Sequence, residues 1–337
     1  MRPQGGVAPR PVGALCDHRG VLRLAAPLPP APWTTRFAPA PTGYLHLGHV
    51  ANAVWVWGLA RAHGGRVVLR VEDHDRVRSR PEYEAALLDD LEWLGLEPDL
   101  GSAAELRAGP SPFRQSDRTA AYEAALRELA GRGLVYPCAC TRRRIAKRIG
   151  PSPPGGERRY PGTCREGGVD PAATPVRRVR LERAEIPFTD LRLGPLTQVP
   201  ADQCGDLLAR DRDGNWTYQF AVVVDDLGLD GDVPGVDLVI RGEDLLDSTG
   251  RQVQLARLLG RPEPPAFLHH PLLLRPDGSK LSKSNRDTGI RDLRAAGWSP
   301  ARVLGEAAFR SGLLDRPQEL AAAELPELFS KERRKAQ

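Results

Sequence analysis

The 337-residue chain has a single methionine, five cysteines, five lysines and an aromatic content of only 6%. Each scarcity excludes something. Five cysteines are an odd number, and three of them fall between 138 and 164, so a disulfide framework is not expected. Such usage predicts a reducing compartment, the cytoplasm. The longest apolar stretch, residues 51–60, is too short to span a bilayer. No basic-then-apolar-then-small pattern opens the chain, so a secretory leader is not expected either. A dominant charge is also lacking. Lys and Arg number 48 against 43 Asp and Glu, and the net +5 does not by itself prove a nucleic-acid partner. The shortage of lysine says most. Nearly all the positive charge is arginine, yet two of the five lysines, Lys280 and Lys283, lie within "SKLSKS". In an arginine-biased chain that marks a place needing mobile ammonium groups, suited to a polyphosphate.

Enough is present for a sizeable core: 41% of residues are hydrophobic, and the length suits one large or two medium domains. Residues 1–32, rich in Pro, Gly, Ala and Arg without sustained periodicity, read as a disordered extension. "WTTRFA" (33–38) reads as a first strand, and "LGHVANAVWVWGLARAHGG" as a helix stopped by Gly64–Gly65. "RVVLRVED" is a short Val-rich run, the pattern of a buried parallel strand. "SRPEYEAALLDDLEWLG" carries Pro81 in its first turn, four leucines on one face and Gly95 as a stop. "SDRTAAYEAALRELAGRG" is another helix of that kind. The alternation predicts an α/β fold with a doubly wound parallel sheet. Residues 138–176 break the rhythm with Cys, Arg, Pro and Gly and read as an insertion with its own stabilising device. The rhythm resumes with "NWTYQFAVVVDD", a strand or a buried helix, then the strand "VDLVIRGEDLL" and the helix "TGRQVQLARLLG". The expected parts are thus 33–137 and 177–290 as two halves of a Rossmann-like catalytic domain, 138–176 between them, and 291–337 as a short helical segment with a charged tail.

The stretch "RFAPAPTGYLHLGHV" (36–50) carries the first chemical signal. Pro39, Pro41, Gly43 and Gly48 contribute little to a core, but they shape a loop that lets a ligand approach a helix start. Free backbone N–H groups and the positive end of the helix dipole make such a start an anion site. His46 and His49 can add donors, and Gly48 lets a flat ring lie against the backbone. Neither GKS/GKT nor GxGxxG is present, so this is a different kind of nucleotide loop.

"HLGH" early and "KLSKS" late together resemble the two signatures of class I aminoacyl-tRNA synthetases. "RFAPAPTGYLHLGH", "LRVEDHD" and "VIRGEDLL" narrow the resemblance to the glutamyl/glutaminyl group, over residues 36 to 285. Only about fifty residues follow "KLSKS", where that group carries an anticodon-binding region, and the insertion holds "CAC…Y…C". In this the chain resembles the glutamyl-Q tRNA(Asp) synthetase family, whose members activate L-glutamate with ATP and attach it to the queuosine base of tRNA(Asp). The alternative is a truncated glutamyl-tRNA synthetase charging a tRNA 3′ end.

The resemblance implies roles for particular residues. His46, Gly48, His49, Lys280 and Lys283 would hold ATP, accompanied by Mg2+, with His46, His49 and Lys283 catalytic. Arg36, Phe37, Ala38, Pro39, Ala40, Glu72, Tyr218 and Arg241 would hold glutamate, which needs an arginine fork for a carboxylate and an acid for its amine. Cys138, Cys140, Tyr160 and Cys164 would bind one structural Zn2+. The resemblance also implies a monomer with no membrane partner. Leu281 in place of the commoner Met, the long "LGLDGDVPG" (227–235) and residues 1–32 depart from the pattern. Arg142, Arg143, Arg144, Lys147, Arg148, Arg158 and Arg159 in the insertion are candidates for contact with tRNA phosphate, the alternative being a solvated basic loop.

Overall fold

The computed structural model describes residues 23–150, 158–273 and 289–330. Lys280, Leu281 and Lys283 therefore lie outside the described residues, as do residues 1–22 of the N-terminal extension. In chain order the elements are β1 (Trp33–Phe37), α1 (Leu47–Ala62), β2 (Gly65–Leu69), α2 (Pro81–Leu94), α3 (Ala103–Ala108), α4 (Thr119–Gly131), β3 (Val135–Pro137) and α5 (Arg142–Ile149). They continue as β4 (Arg177–Val179), β5 (Ile186–Asp190), β6 (Gly194–Gln198), α6 (Pro200–Gln203), β7 (Leu207–Arg210), α7 (Tyr218–Leu227) and β8 (Leu238–Gly242). The last are α8 (Thr249–Leu258), β9 (Ala266–His270), α9 (Ile290–Ala295), α10 (Pro300–Arg310) and a 3-10 helix, Ala322–Leu328.

Two right-angled questions decide where a ligand can bind: which strands are parallel, and where their order reverses. β1 pairs in parallel with β2, from Trp33 opposite Gly65 to Phe37 opposite Leu69. β8 pairs in parallel with β9, from Leu238 opposite Ala266 to Gly242 opposite His270. β5 joins the far side of β9, and β6 closes that edge in the antiparallel sense. The halves meet at β1 and β8 without a continuous ladder. There the Asp237 N–H donates to the Thr34 carbonyl at 2.9 Å, and the Asp237 carboxylate accepts from the Thr34 N–H at 2.9 Å. The chain winds outward from this seam in both directions, through α1 to β2 and through α8 to β9. A crevice forms at the carboxyl ends of strands at such a switch point.

Helix α1 is buried on nearly every side, consistent with its near-continuous apolar sequence. Its outer side is covered by α10 and the 3-10 helix 322–328. Gly58 is needed there, since a Cβ would lie 2.3 Å from the Phe329 ring. The C-terminal segment thus shares the core of the catalytic body. α7 resolves the ambiguity of its three consecutive valines: it is helical, with Thr217 extended at the N-cap and Gly228 at φ 61° ending it. Residues 138–176 run between β3 and β4, an antiparallel pair that with β7 makes a separate three-stranded sheet. Among the described residues no helix is long and apolar enough to cross a membrane.

Candidate active site

The crevice at the seam is a cleft with an empty volume, open solvent included, of about 1570 Å³. Arg36, Phe37, Ala38, Pro39, Ala40, His46, Gly48, His49, Glu72, Tyr218 and Arg241 all line it. They arrive from the ends of β1, β2 and β8, from the start of α1 and from the start of α7. The loop after β1 is zipped to the chain after β2: the Arg70 N–H donates to the Phe37 carbonyl at 3.0 Å, and the Glu72 N–H to that of Pro39 at 3.1 Å.

His46 is the N-cap of α1 and forms a reciprocal capping box with His49. Nδ1 of His46 accepts from the Gly48 N–H at 3.1 Å, and Nδ1 of His49 accepts from the His46 N–H at 3.1 Å. With both Nδ1 atoms accepting, each neutral ring carries its proton on Nε2, as a donor suited to an anion. The flat ring that lies against Gly48 is His46's own imidazole. A Cβ on Gly48 would sit 2.9 Å from its Cε1. Absence of a side chain there keeps the cap in place.

Charge in the cleft is organised by residues the motifs did not single out. Arg70, 3% exposed, donates to Asp226 at 2.8 Å and to Glu72 at 3.1 Å, with Asp225 at 3.6 Å. Arg36 reaches Asp226 through Nε at 3.3 Å and the Ile240 carbonyl through Nη1 at 3.3 Å. Burial would raise the Asp226 pKa, but Arg36 and Arg70 hold it below the usual carboxylate range. For Glu72 burial wins over Arg70, and its pKa is raised. Asp225 is locked further inside by Arg118 at 2.7 Å, Gln115 at 2.7 Å and the Tyr122 hydroxyl at 3.0 Å. An arginine at the end of an apolar strand, in "VLRVED", was the sequence signal that something acidic must come to meet it.

Arg241 is set differently. It is 4% exposed, and its nitrogens go to neutral acceptors: His269 Nε2 at 3.0 Å, Gln252 Oε1 at 2.6 Å and Thr249 Oγ1 at 2.9 Å. Tyr218 lines the same cleft. Among the described residues no carboxylate forms an ion pair with Arg241. Because a guanidinium can only donate, His269 Nε2 must accept, and its proton is on Nδ1. That N–H donates to Asp190 Oδ2 at 2.7 Å, and the His269 backbone N–H donates to the same oxygen at 2.9 Å. Burial depresses the His269 pKa to about 4 despite Asp190, which keeps the ring a neutral acceptor. Burial also lowers the Arg241 pKa and raises that of Tyr218.

The cysteines form a second centre. The sulfurs of Cys138, Cys140 and Cys164 lie within 4.8 Å of one another, with Cys140 and Cys164 at 3.6 Å. The Tyr160 hydroxyl is 3.4 Å from the Cys138 sulfur and 3.9 Å from that of Cys140, and accepts from the Cys164 N–H at 2.9 Å. A tetrahedral zinc with thiolates at ~2.3 Å would place them about 3.8 Å apart, so the donor set fits such an ion. The Arg178 guanidinium lies 3.7 Å over the Tyr160 ring, a cation–π contact, while burial and the Cys138 sulfur push the Tyr160 pKa up. Cys204 is buried apart from the group.

Comparison with known proteins agrees with this geometry. The family description "tRNA synthetases class I (E and Q), catalytic domain" matches residues 33–320. The chain is 44% identical to the glutamyl-Q tRNA(Asp) synthetase of Symbiobacterium thermophilum over 87% of its own length and 91% of the relative's. It is 41% identical to the protein of that name from Nitratidesulfovibrio vulgaris, covering 83% and 86% of the two chains. With glutamate–tRNA ligase 2 of Syntrophus aciditrophicus the identity is 36%, over 86% of this chain and 59% of that one. Among solved structures, a glutamate tRNA ligase from Elizabethkingia meningosepticum, in complex with its amino acid, superposes with a TM-score of 0.69 at 26% identity. The match covers 87% of this chain but only 64% of that one, less than two thirds of the ligase. The chain, whose switch-point cleft is opened by a histidine-capped helix and backed by buried arginines, therefore belongs to the class I tRNA synthetases of the E and Q group.

Proposed function

We propose that the chain activates L-glutamate with ATP, without tRNA, and then transfers it to the queuosine base at the wobble position of tRNA(Asp). The observation that carries the amino-acid part is Arg241, a buried guanidinium held only by neutral acceptors among the described residues. A buried cation with no carboxylate in direct contact is costly, and an incoming carboxylate relieves that cost. Glu72 and Tyr218 supply an acid and a hydroxyl beside it, suited to the amino group and the rest of glutamate. In the reaction a glutamate carboxylate oxygen bonds to the ATP α-phosphorus. The bond from that phosphorus to the bridging oxygen breaks, and the electron pair leaves with pyrophosphate. His46 and His49 would meet the phosphates, and Lys280 and Lys283 the departing charge. Such chemistry needs positioning and charge stabilisation more than a covalent nucleophile.

Support for the queuosine part comes from the relatives: the chain covers 91% of a glutamyl-Q tRNA(Asp) synthetase but 59% of a glutamate–tRNA ligase. One Zn2+ would be held by Cys138, Cys140, Cys164 and Tyr160. It would supply fixed geometry to the excursion between β3 and β4, with no open position for substrate.

The test is glutamate-dependent ATP–pyrophosphate exchange with and without tRNA, followed by locating labelled glutamate on tRNA(Asp). Exchange without tRNA and label resistant to removal of the 3′ terminal nucleotides are expected. Exchange that depends strictly on tRNA, or label confined to the 3′ end, would favour a glutamyl-tRNA synthetase.

A further inference from the structure

Helix α5 differs from the other helices among the described residues. Its sequence, RRRIAKRI, contains five cations in eight residues and no acid, and none of its residues is fully buried. Several exposed arginines elsewhere find partners: Arg107 pairs with Asp89 and Glu92, Arg78 with Asp75, Arg183 with Asp202. On α5 no side-chain ion pair or hydrogen bond is formed among the described residues. The arrangement is costly in itself. Arg143 with Lys147 and Arg144 with Arg148 are like-charge neighbours one turn apart, and each pair disfavours the helix. At 3.6 residues per turn these four cations share one face. Ile145 lies on the opposite side and packs against the cysteine group. The helix starts directly after Cys140, with the Thr141 hydroxyl accepting from the Arg144 N–H at 3.0 Å. The thiol cluster therefore fixes where the helix leaves and which face it turns outward.

We propose that the Arg143, Arg144, Lys147 and Arg148 face of α5 is an RNA-contacting surface that grips the phosphate backbone of tRNA. The inference rests on the reading of tRNA as a substrate and adds to it the face that receives the RNA. Four cations on one face, unneutralised by any described residue, are complementary to a closely spaced row of phosphates. Such contacts give affinity without sequence reading and release counter-ions on binding. The cysteine group, on this view, acts in RNA binding by presenting the helix and takes no part in adenylation.

The test compares two variants in which helix propensity is kept. One carries Arg143→Gln, Arg144→Gln, Lys147→Gln and Arg148→Gln. The other carries Arg143→Lys, Arg144→Lys and Arg148→Lys. Affinity for tRNA is titrated from low to moderate salt, alongside pyrophosphate exchange without tRNA and bound metal. Losing four phosphate contacts should lower the slope of log affinity against log salt by about 3 and weaken low-salt binding at least about tenfold. The lysine variant should bind close to the original, and exchange and metal content should be unchanged in both. An unaltered slope in the glutamine variant overturns the proposal. So does equal weakening in both variants, or a parallel fall in metal content or exchange, since α5 would then be holding the fold. A chain that binds tRNA through α5 but activates no glutamate would keep this inference and remove the proposed reaction.

Discussion

Nε of Arg241 donates to Nε2 of His269 at 3.0 Å, and the far side of that imidazole is fixed by Asp190. Three buried residues from β8, β9 and β5 thus act as one unit: carboxylate, neutral ring, guanidinium. Their product is a cation aimed by neutral groups, with its counter-ion one ring away.

Replacing Arg241 by Ala should raise the KM for glutamate by roughly hundredfold, the effect of leaving a substrate carboxylate poorly paired at about 3 kcal/mol. Asp190→Asn should raise it less, because the guanidinium remains while its imidazole support loses the fixed tautomer. Steady-state exchange kinetics measure both. A matching rise in the KM for ATP in either variant would mean the whole cleft has been disturbed.

Acid should destabilise the protein between pH 6.5 and 4. Burial holds His269 and His270 at pKa values of about 4, against 6.5 when unfolded. Across that window the unfolded chain takes up protons that the folded chain refuses, so stability is complete above 6.5 and declines as pH falls. Each histidine contributes on the order of 3 kcal/mol to this slope. Asp90 works in the opposite sense: burial raises its pKa to about 6, so folding is favoured by its protonation as pH falls. Two histidines outweigh one carboxyl, and denaturant midpoints from pH 7 to 4 should fall. His270→Gln should flatten the curve. An unchanged slope in that variant would assign the acid sensitivity elsewhere.

Arg70→Met should cost about 3–5 kcal/mol, as expected when one partner of a buried ion group is removed. Glu72 loses its ion pair, Asp226 keeps only Arg36, and Asp225 keeps Arg118. Urea denaturation measures the loss. A change under about 1 kcal/mol would show that water reaches these carboxylates in the folded protein.

About one zinc per chain is expected by metal analysis of protein never exposed to chelator. Cys138→Ser with Cys140→Ser should abolish it and speed amide exchange in 138–176. Tyr160→Phe should have a smaller effect, since water can take the fourth position. Exchange of pyrophosphate should persist in part after metal removal. Its complete loss with the main core intact would put the metal next to the chemistry.

The local grammar was readable and the long-range pairing was not. Pro81 and Gly95 bracket α2, and the loop after β1 could be placed at a helix start because glycine, proline and histidine have few other uses there. The three valines of α7 suit strand and helix alike, and only burial and the left-handed Gly228 decide between them. Asp226, Asp190 and His269 stand in ordinary-looking sequence. Their meaning comes from tertiary approach: Arg36 and Asp226 are 190 residues apart, and Asp190 and His269 are 79 apart. No window of sequence contains both members. The C-terminal segment reads as helical, but nothing in it announces that Phe329 returns to Gly58.

That return turns α1 into an axle mounted at both ends. At one end the 16-residue rod, about 24 Å long, carries the His46–His49 pair; towards the other it is gripped by Phe329 and by the His63 ring, whose Nε2 lies 3.1 Å from the Phe329 carbonyl. The segment ending at Ser330 is bolted to the same bearing that sets the angle of the His46 and His49 rings at the mouth of the cleft. A substitution at Phe329 is mechanically in series with the candidate active site, although Phe329 lines no part of the cleft.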